Sequence, residues 1–201
     1  MSEPVKTKKV GLFFGSFNPI HTGHMIIAGY MLHFTDLDDV WFIISPHNPL
    51  KEKSTLLADH HRYMMVQTAI EDNPRLRASN IEFKLPQPSY TIDTLIRLEE
   101  KHSDHQFVLI AGTDIFPTFH KWKNYEVLLE NYRFYIYNRP GYDAGAYSSH
   151  PNVVTFNAPL MEISSSFIRQ AILEGRDIRY FVPEKVYTYI REMHFYEKNN
   201  R

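Results

Sequence analysis

Four short apolar runs stand out in the pattern of hydrophobic and polar positions along the chain. They cover residues 10–14 (VGLFF), 40–44 (VWFII), 107–111 (FVLIA) and 134–137 (FYIY), and each is followed by Gly, Ser or Asn. The runs are continuous rather than alternating, which is typical of strands covered on both faces, as in parallel sheets. We therefore predict four buried strands.

Stretches with helical spacing of apolar residues lie between and after these runs. They cover residues 25–34, 56–70 and 91–98, and residues 164–190 are predicted to be mostly helical, with Pro183 suited to a helix start. The alternation predicts βαβ units with right-handed crossovers. The expected fold is therefore α/β: a doubly wound parallel sheet with helices on both faces and a helical C-terminal part. Residues 139–152 are predicted to form an exposed loop.

Composition narrows the class of protein. With 201 residues, 43% of them hydrophobic, the chain fits one domain with a substantial core. Cysteine is absent, which excludes disulfide scaffolds, thiolate metal sites and cysteine nucleophiles. The 22 basic and 23 acidic residues give no basic footprint for nucleic acid, and the N-terminus has no signal-peptide core or membrane span. We expect a cytoplasmic protein that binds neither nucleic acid nor membrane.

The first apolar run leads into the segment GSFNPIHTGH, residues 15–24. Its glycine and serine permit a close turn, Asn18 can bond to local backbone, and Pro19 makes the approach rigid. A helix that begins near Thr22 or Gly23 would direct its free N–H groups at the carboxyl end of the strand, where open α/β sheets bind ligands. This arrangement predicts a phosphate site.

Two histidines sharpen this prediction. His21 precedes the predicted helix and His24 lies in its first turn, while Gly23 leaves room for a ligand near the backbone. Both imidazoles are placed to donate to a phosphoryl group and to stabilise charge that develops during its transfer. The alternative is a pair of histidines that only caps and orders the turn, but the preceding segment favours the phosphate interpretation.

A second hydroxyl-rich segment, ISSSFIR at residues 163–169, precedes a predicted helix. Such hydroxyls can cap the helix or donate to a phosphate, and Arg169, about one turn later, returns to the same face. Taken alone, the segment predicts a serine cap followed by a surface arginine. Together with GSFNPIHTGH, we interpret it as a second phosphate-binding element.

The segment GSFNPIHTGH resembles the signature of the nucleotidyltransferases that carry a His-x-Gly-His motif, and specifically the bacterial nicotinate-nucleotide adenylyltransferases. ISSSFIR resembles their second motif, with Ser166 where threonine is common. Further segments resemble the same family in order: residues 44–53 (ISPHNPLKEK), 88–95 (PSYTIDTL) and 112–122 (GTDIFPTFHKW). The resemblance covers about residues 10–190. It implies a Rossmann-like fold and a single nucleotidyltransferase domain over residues 1–201, with its core at about 9–192.

The resemblance also implies a reaction and a set of site residues. AMP would pass from ATP to nicotinate mononucleotide with the help of Mg²⁺, giving deamido-NAD and pyrophosphate in NAD biosynthesis, and no protein residue would be a metal ligand. The positions matching catalytic residues are His21, His24, Lys51 and Arg169, and those matching ATP-binding residues are Gly15, Ser16, Phe17, His21, Gly23, His24, Ser164, Ser165, Ser166 and Arg169.

The positions that match acceptor-binding residues are Thr91, Asp114, Trp122 and Arg139. Trp122 would stack on the pyridine ring, and Thr91 with the backbone after Trp122 would bind the nicotinate carboxylate. Asp114 would hold a ribose or order the site, and Lys51 and Arg139 would contact phosphates. The structural alternatives are a core-edge aromatic for Trp122, a helix N-terminal residue for Thr91 and a helix cap for Asp114.

Two other functions stay open from the sequence: the same transfer to nicotinamide mononucleotide, and a non-catalytic nucleotide sensor. A homo-oligomer is possible, but the sequence carries no clear mark of oligomeric state. A metal site at His60 and His61 is disfavoured because neighbouring residues on a helix point apart. We predict that these two histidines are surface or capping residues.

Overall fold

The computed structural model describes residues 7–46, 56–159 and 161–198. Within them lies one parallel sheet with the strand order β3-β2-β1-β4-β5-β6. The chain runs outward from β1 to β3 and then crosses back to begin again at β4, so the order reverses between β1 and β4. The strands are β1 (Lys8–Gly15), β2 (Asp39–Ile44), β3 (Leu76–Ser79), β4 (His105–Gly112), β5 (Arg133–Tyr137) and β6 (Val153–Phe156).

The four predicted strands are confirmed as β1, β2, β4 and β5, and they form the centre of the sheet. The two edge strands were missed. Each has four residues, of which only the first is buried, so neither shows a continuous apolar run.

The helices that flank the sheet are α1 (Thr22–Phe34), α2 (Asp59–Ile70), α3 (Thr91–Lys101), α4 (Phe116–Phe119), α5 (Tyr125–Asn131), α6 (Ser165–Leu173) and α7 (Glu184–Glu192). The helical C-terminal part is confirmed as α6 and α7, and Pro183 caps the second of these. The predicted loop at residues 139–152 is mostly exposed, but it contains a short 3₁₀ helix, Gly145–Ser149, and a buried Ala144.

Two apolar cores cover the two faces of the sheet, as a doubly wound fold requires. Phe13 of β1 points to the face that α1, α2, α6 and α7 cover, and the neighbouring Leu12 points to the face of α3, α4 and α5. Successive residues of a strand point to opposite faces, so one apolar run serves both cores. The predicted fold class is therefore confirmed. In the part of the chain described, no helix is long and apolar enough to span a membrane.

Candidate active site

The loop between β1 and α1 is anchored by a buried aromatic ring. Phe17 is only 1% exposed, and its ring packs 5.4 Å from that of Phe42 and 5.1 Å from that of His24, measured between centroids. Its φ of 45° lies in the left-handed region, which a bulky residue adopts only when its surroundings impose it. A Cβ on Gly15 would lie 2.8 Å from the Phe17 ring, so the glycine is required by this packing.

The two histidines lie together at the start of α1, as predicted. Their rings stack, with centroids 3.6 Å apart and an interplanar angle of 26°. His21 is the N-cap residue and the pair forms a capping box, in which the His21 backbone N–H donates to His24 Nδ1 at 3.3 Å. Because Nδ1 of His24 accepts, we infer that the proton of the neutral ring lies on Nε2. The capping alternative is thus realised, and Nε2 is the nitrogen of the His24 ring that can donate.

Gly23 makes room for the His21 ring. A Cβ at this position would lie 3.1 Å from His21 Nδ1 and 3.2 Å from Cε1, closer than side chains normally approach. The imidazole therefore fills part of the space beside Gly23, and Gly23 also lines the cleft described next. Gly23 acts by letting His21 fold back over the start of the helix.

A cleft opens beside the histidines at the carboxyl ends of the strands. Besides His21 and His24, its lining includes Tyr137 at the end of β5, Arg139 just after it and Ile163 before α6. Burial and then the positive charge of Arg139 lower the pKa of His21 to about 4. His21 is therefore neutral near pH 7 and acts there as a hydrogen-bonding group rather than as a cation.

The ISSSFIR segment meets the GSFNPIHTGH segment directly, although they are far apart in the chain. Ser165 Oγ donates to the carbonyl oxygen of Pro19 at 2.9 Å, and Arg169 Nη1 donates to that of Asn18 at 2.8 Å. The predicted convergence of the two segments is therefore correct. Both contacts are made to main-chain oxygens, so these side chains of α6 bind the backbone of the loop and not its side chains.

The remaining hydroxyls of this segment also have partners inside the protein. Ser164 Oγ caps α6 by accepting from the backbone N–H of Phe167 at 3.1 Å, which confirms the capping interpretation for this residue. Ser166 Oγ accepts from Arg169 Nη2 at 3.2 Å. The Ser166 hydroxyl thus orients the guanidinium that donates to the Asn18 carbonyl oxygen.

Asn18 joins three distant parts of the chain. Its Oδ1 accepts from the backbone N–H of Leu57 at 3.2 Å and from the hydroxyl of Tyr196 at 2.8 Å. Both partners of Oδ1 lie far away in the chain, 39 and 178 residues on, and not in the local turn where bonding was expected. Sequence reasoning missed Tyr196, and no local pattern in the C-terminal segment indicates its role.

A buried arginine holds the ends of β1 and β2 together, and sequence reasoning missed it. Arg62 on α2 is fully buried. It has an ion pair with Asp59 at 2.6 Å. The sequence contained a signal for its burial, because Arg62 lies on the same helical face as the buried Met65 and Val66. Its guanidinium also donates to the carbonyl oxygens of Ser16 (2.6 Å), Ser45 (2.9 Å), Leu57 (3.0 Å) and Pro46 (3.2 Å).

The predicted acceptor residues Thr91 and Trp122 lie on two segments that an ion pair connects. Thr91 is the first residue of α3, and Trp122 is half-buried with its ring 5.4 Å from that of Phe119. Lys123 Nζ lies 2.9 Å from the carboxylate of Asp93. Asp93 and Lys123, which lie close to Thr91 and Trp122 in the sequence, thus connect the two segments.

A buried carboxylate accepts hydrogen bonds from residues on both sides of the start of α3. Glu82 is 2% exposed and accepts from Ser89 Oγ at 2.8 Å and from Thr94 Oγ1 at 2.7 Å. Burial raises its pKa, and the two hydroxyl donors oppose that rise. Glu82, which sequence reasoning also missed, therefore fixes the residues on either side of Thr91.

Asp114 and Arg139 lie next to each other beside the cleft. Asp114 Oδ1 is 3.7 Å from Arg139 Nε, and the backbone N–H of Arg139 donates to Thr113 Oγ1 at 2.8 Å. The expected alternative of Asp114 as a helix cap was wrong, because Gly112 occupies the cap position. Arg139 also lines the cleft, so it connects Asp114 with the histidines. Thr91 and Trp122 do not stand among the described residues that line the cleft.

Lys51 and most of the ISPHNPLKEK segment lie outside the described residues. The expectation that His60 and His61 point apart was wrong: their ring centroids are 3.9 Å apart. His61 Nδ1 is hydrogen-bonded to the hydroxyl of Tyr189 at 2.8 Å, so it joins α2 to α7. Among the residues that the structure describes, no group of three or more His, Asp or Glu side chains is placed to hold a metal ion.

The fold and the paired motifs define a nucleotidyltransferase, and comparisons with known proteins agree. The family described as cytidylyltransferase-like matches residues 12–171. A Flavobacterium johnsoniae protein named "Probable nicotinate-nucleotide adenylyltransferase" is 52% identical over 192 residues, covering 94% of this chain and all of its own. A Bacteroides fragilis protein of the same name is 46% identical over 182 residues and is covered to 90%, as is this chain.

Solved structures show the same fold. The Plasmodium falciparum nicotinic acid mononucleotide adenylyltransferase complexed with NaAD superposes with a TM-score of 0.80 at 22% identity, covering 94% of this chain and 97% of that one. The chain belongs to the nicotinate-nucleotide adenylyltransferase family. The family and the class of enzyme predicted from the sequence are therefore confirmed.

Proposed function

We propose that this enzyme transfers AMP from ATP to nicotinate mononucleotide in the cleft beside His21 and His24. A phosphate oxygen of the mononucleotide forms a bond to the α-phosphorus of ATP, the bond from that phosphorus to the β-phosphate oxygen breaks, and pyrophosphate leaves. The observation that carries the proposal is the direct contact of Ser165 and Arg169 with the Asn18–Pro19 main chain. It supports one site built from both phosphate-binding segments.

The proposed chemistry rests on positioning and charge stabilisation. The attacking phosphate is already anionic near neutral pH, so no strong general base is required. His24 donates through Nε2 to a phosphoryl oxygen, and the Arg169 guanidinium balances negative charge. His21 donates as a neutral ring, and an anionic phosphate beside it would raise its pKa again. Lys51 contributes a further positive charge.

The remaining predicted residues share the binding of the two nucleotides. Residues 15–17 and Gly23 shape the loop between β1 and α1, which we call the phosphate loop. The Ser165 hydroxyl holds α6 against this loop, Ser164 caps the helix and Ser166 accepts from the Arg169 guanidinium. On the acceptor side, Trp122 offers an aromatic face to the pyridine ring and Thr91 a hydroxyl to its carboxylate. Asp114 orders this side through its contact with Arg139, which reaches the phosphate.

Magnesium enters the proposal with ATP. When bound, it would supply positive charge that offsets the negative charge of the phosphates and of the departing pyrophosphate. In the described parts of the chain no cluster of three or more carboxylates or histidines offers a dedicated cage. In this proposal, phosphate oxygens and water would supply the magnesium ligands. Because both substrates are intracellular nucleotides, it also includes a cytoplasmic location.

The test of this proposal is the variant His24→Ala, compared with His33→Ala in the last turn of the same helix. Loss of one preorganised donor to the transition state lowers kcat by about 100- to 1,000-fold. The expected result is such a loss for His24→Ala with little change in KM, and near-normal kinetics for His33→Ala. A change confined to KM, or equal behaviour of the two variants, would contradict the assigned role.

A further inference from the structure

The chain reverses sharply after α7 and folds back toward the active site. The backbone N–H of Phe195 donates to the carbonyl oxygen of Ile190 at 3.1 Å, and that of His194 donates to Arg191 at 3.3 Å. These two bonds form a Schellman motif, and His194, with φ of 52°, occupies the left-handed position that glycine usually takes. The reversal directs the next residues back over the helix instead of away from it.

Aromatic packing keeps the reversed segment in place. The Phe195 ring lies 4.7 Å from the ring of His61 on α2 and 5.6 Å from that of Tyr189 on α7. Tyr196 follows with φ of 65°, a second residue in the left-handed region within three positions. Such conformations persist in non-glycine residues only where contacts around them impose the geometry.

The Tyr196 side chain ends at the phosphate loop. Its hydroxyl donates to Asn18 Oδ1 at 2.8 Å, and the main-chain oxygen of the same Asn18 accepts from Arg169 at 2.8 Å. Burial raises the pKa of Tyr196, against the positive charges of Arg169 and Arg62. The phenol is therefore neutral near pH 7 and can donate its proton to Asn18.

We propose that Tyr196 is a positioning residue for the phosphate loop: its hydroxyl orients Asn18, and through Asn18 the Arg169 contact and the path of the chain toward His21. The proposal rests on the proposed function, because it assigns the loop to ATP. Tyr196 acts behind Asn18 and does not touch the reacting atoms. Its effect should therefore fall on ATP and not on the acceptor.

The experiment compares Tyr196→Phe with Tyr180→Phe in the full chain. Tyr196→Phe removes only the hydroxyl and keeps the ring, and Tyr180 is 88% exposed, so its variant controls for the same chemical change at the surface. We expect Tyr196→Phe to lower kcat/KM for ATP by about tenfold, the size of one net hydrogen bond, with KM for nicotinate mononucleotide within about twofold of the parent value. Tyr180→Phe should match the parent enzyme.

Two further readouts separate positioning from stability. In a double-mutant cycle with Arg169→Lys, residues coupled through Asn18 give non-additive losses, whereas independent structural effects add. Equilibrium binding of ATP alone, without acceptor, should also weaken by about tenfold in Tyr196→Phe.

Kinetics of Tyr196→Phe equal to those of Tyr180→Phe, or an equal loss for both substrates that follows a drop in Tm, would overturn the proposal. If the parent enzyme shows no transfer, the proposed function fails. ATP binding still decides the role of Tyr196 in that case, so the two failures are distinguishable.

Discussion

The two sides of the site are built in different ways. The phosphate half, residues 15–24 and 163–169, is held by side chains that donate to main-chain oxygens, as Arg62 does at Ser16 and Arg169 does at Asn18. The acceptor half, the segments around Thr91 and Trp122, is held by contacts between side chains. The Trp122 ring packs beside Phe119, Glu82 accepts from Ser89 and Thr94, and Lys123 adds a partly exposed ion pair. Bonds to the main chain fix the backbone itself, which suits a site where phosphates must be aligned for in-line attack.

Of the variants that test this comparison, Arg62→Met is expected to have the largest effect. Methionine fills much of the volume but leaves buried carbonyl oxygens without their donor, so the free energy of unfolding should fall by about 3 kcal/mol. Urea denaturation measures this change.

Arg97→Met is the matched control, because Arg97 is exposed and pairs only with Glu100 one turn away among the described residues. Its free energy of unfolding should change by less than about 0.5 kcal/mol. If Arg62→Met stays within about 1 kcal/mol of this control, main-chain anchoring does not hold the phosphate half.

A much smaller effect is expected when the acceptor half loses a charge. Lys123 and Asp93 are both about two-fifths exposed, and an ion pair in contact with solvent contributes little. Lys123→Met should therefore raise KM for nicotinate mononucleotide by only about twofold and leave kcat unchanged. Steady-state kinetics at two salt concentrations measure it, with Asp93→Asn as the reciprocal variant. A loss above about tenfold would mean that charge, rather than packing, holds this half.

The sequence predicted the parts of the fold that local patterns encode. The four central strands are apolar because both of their faces are covered, and α1 begins where the turn residues and histidines placed it. The edge strands β3 and β6 were beyond this reasoning, since each is half-exposed and carries charged or polar residues such as Arg77 and Thr155.

The sequence also predicted which segments form the phosphate half, but not what holds them. Asn18 was assigned local partners, whereas its bonds reach Leu57 and Tyr196. Such contacts depend on how helices cross the sheet, which no window of sequence contains. Arg62 is the instructive case, because a charged residue on a buried helical face must find partners, even though the sequence does not say which.

The most direct test of the central claim is pyrophosphate release by the purified protein with ATP and magnesium, with nicotinate and nicotinamide mononucleotides supplied in parallel. The two acceptors share the attacking phosphate and differ at the pyridine substituent, so only the acceptor half can distinguish them. We predict release with the nicotinate form and at least about tenfold lower kcat/KM with the nicotinamide form, because recognition of the carboxylate is lost. Release with neither acceptor would contradict the proposed transfer, and equal release would contradict the assignment of Thr91 and Trp122.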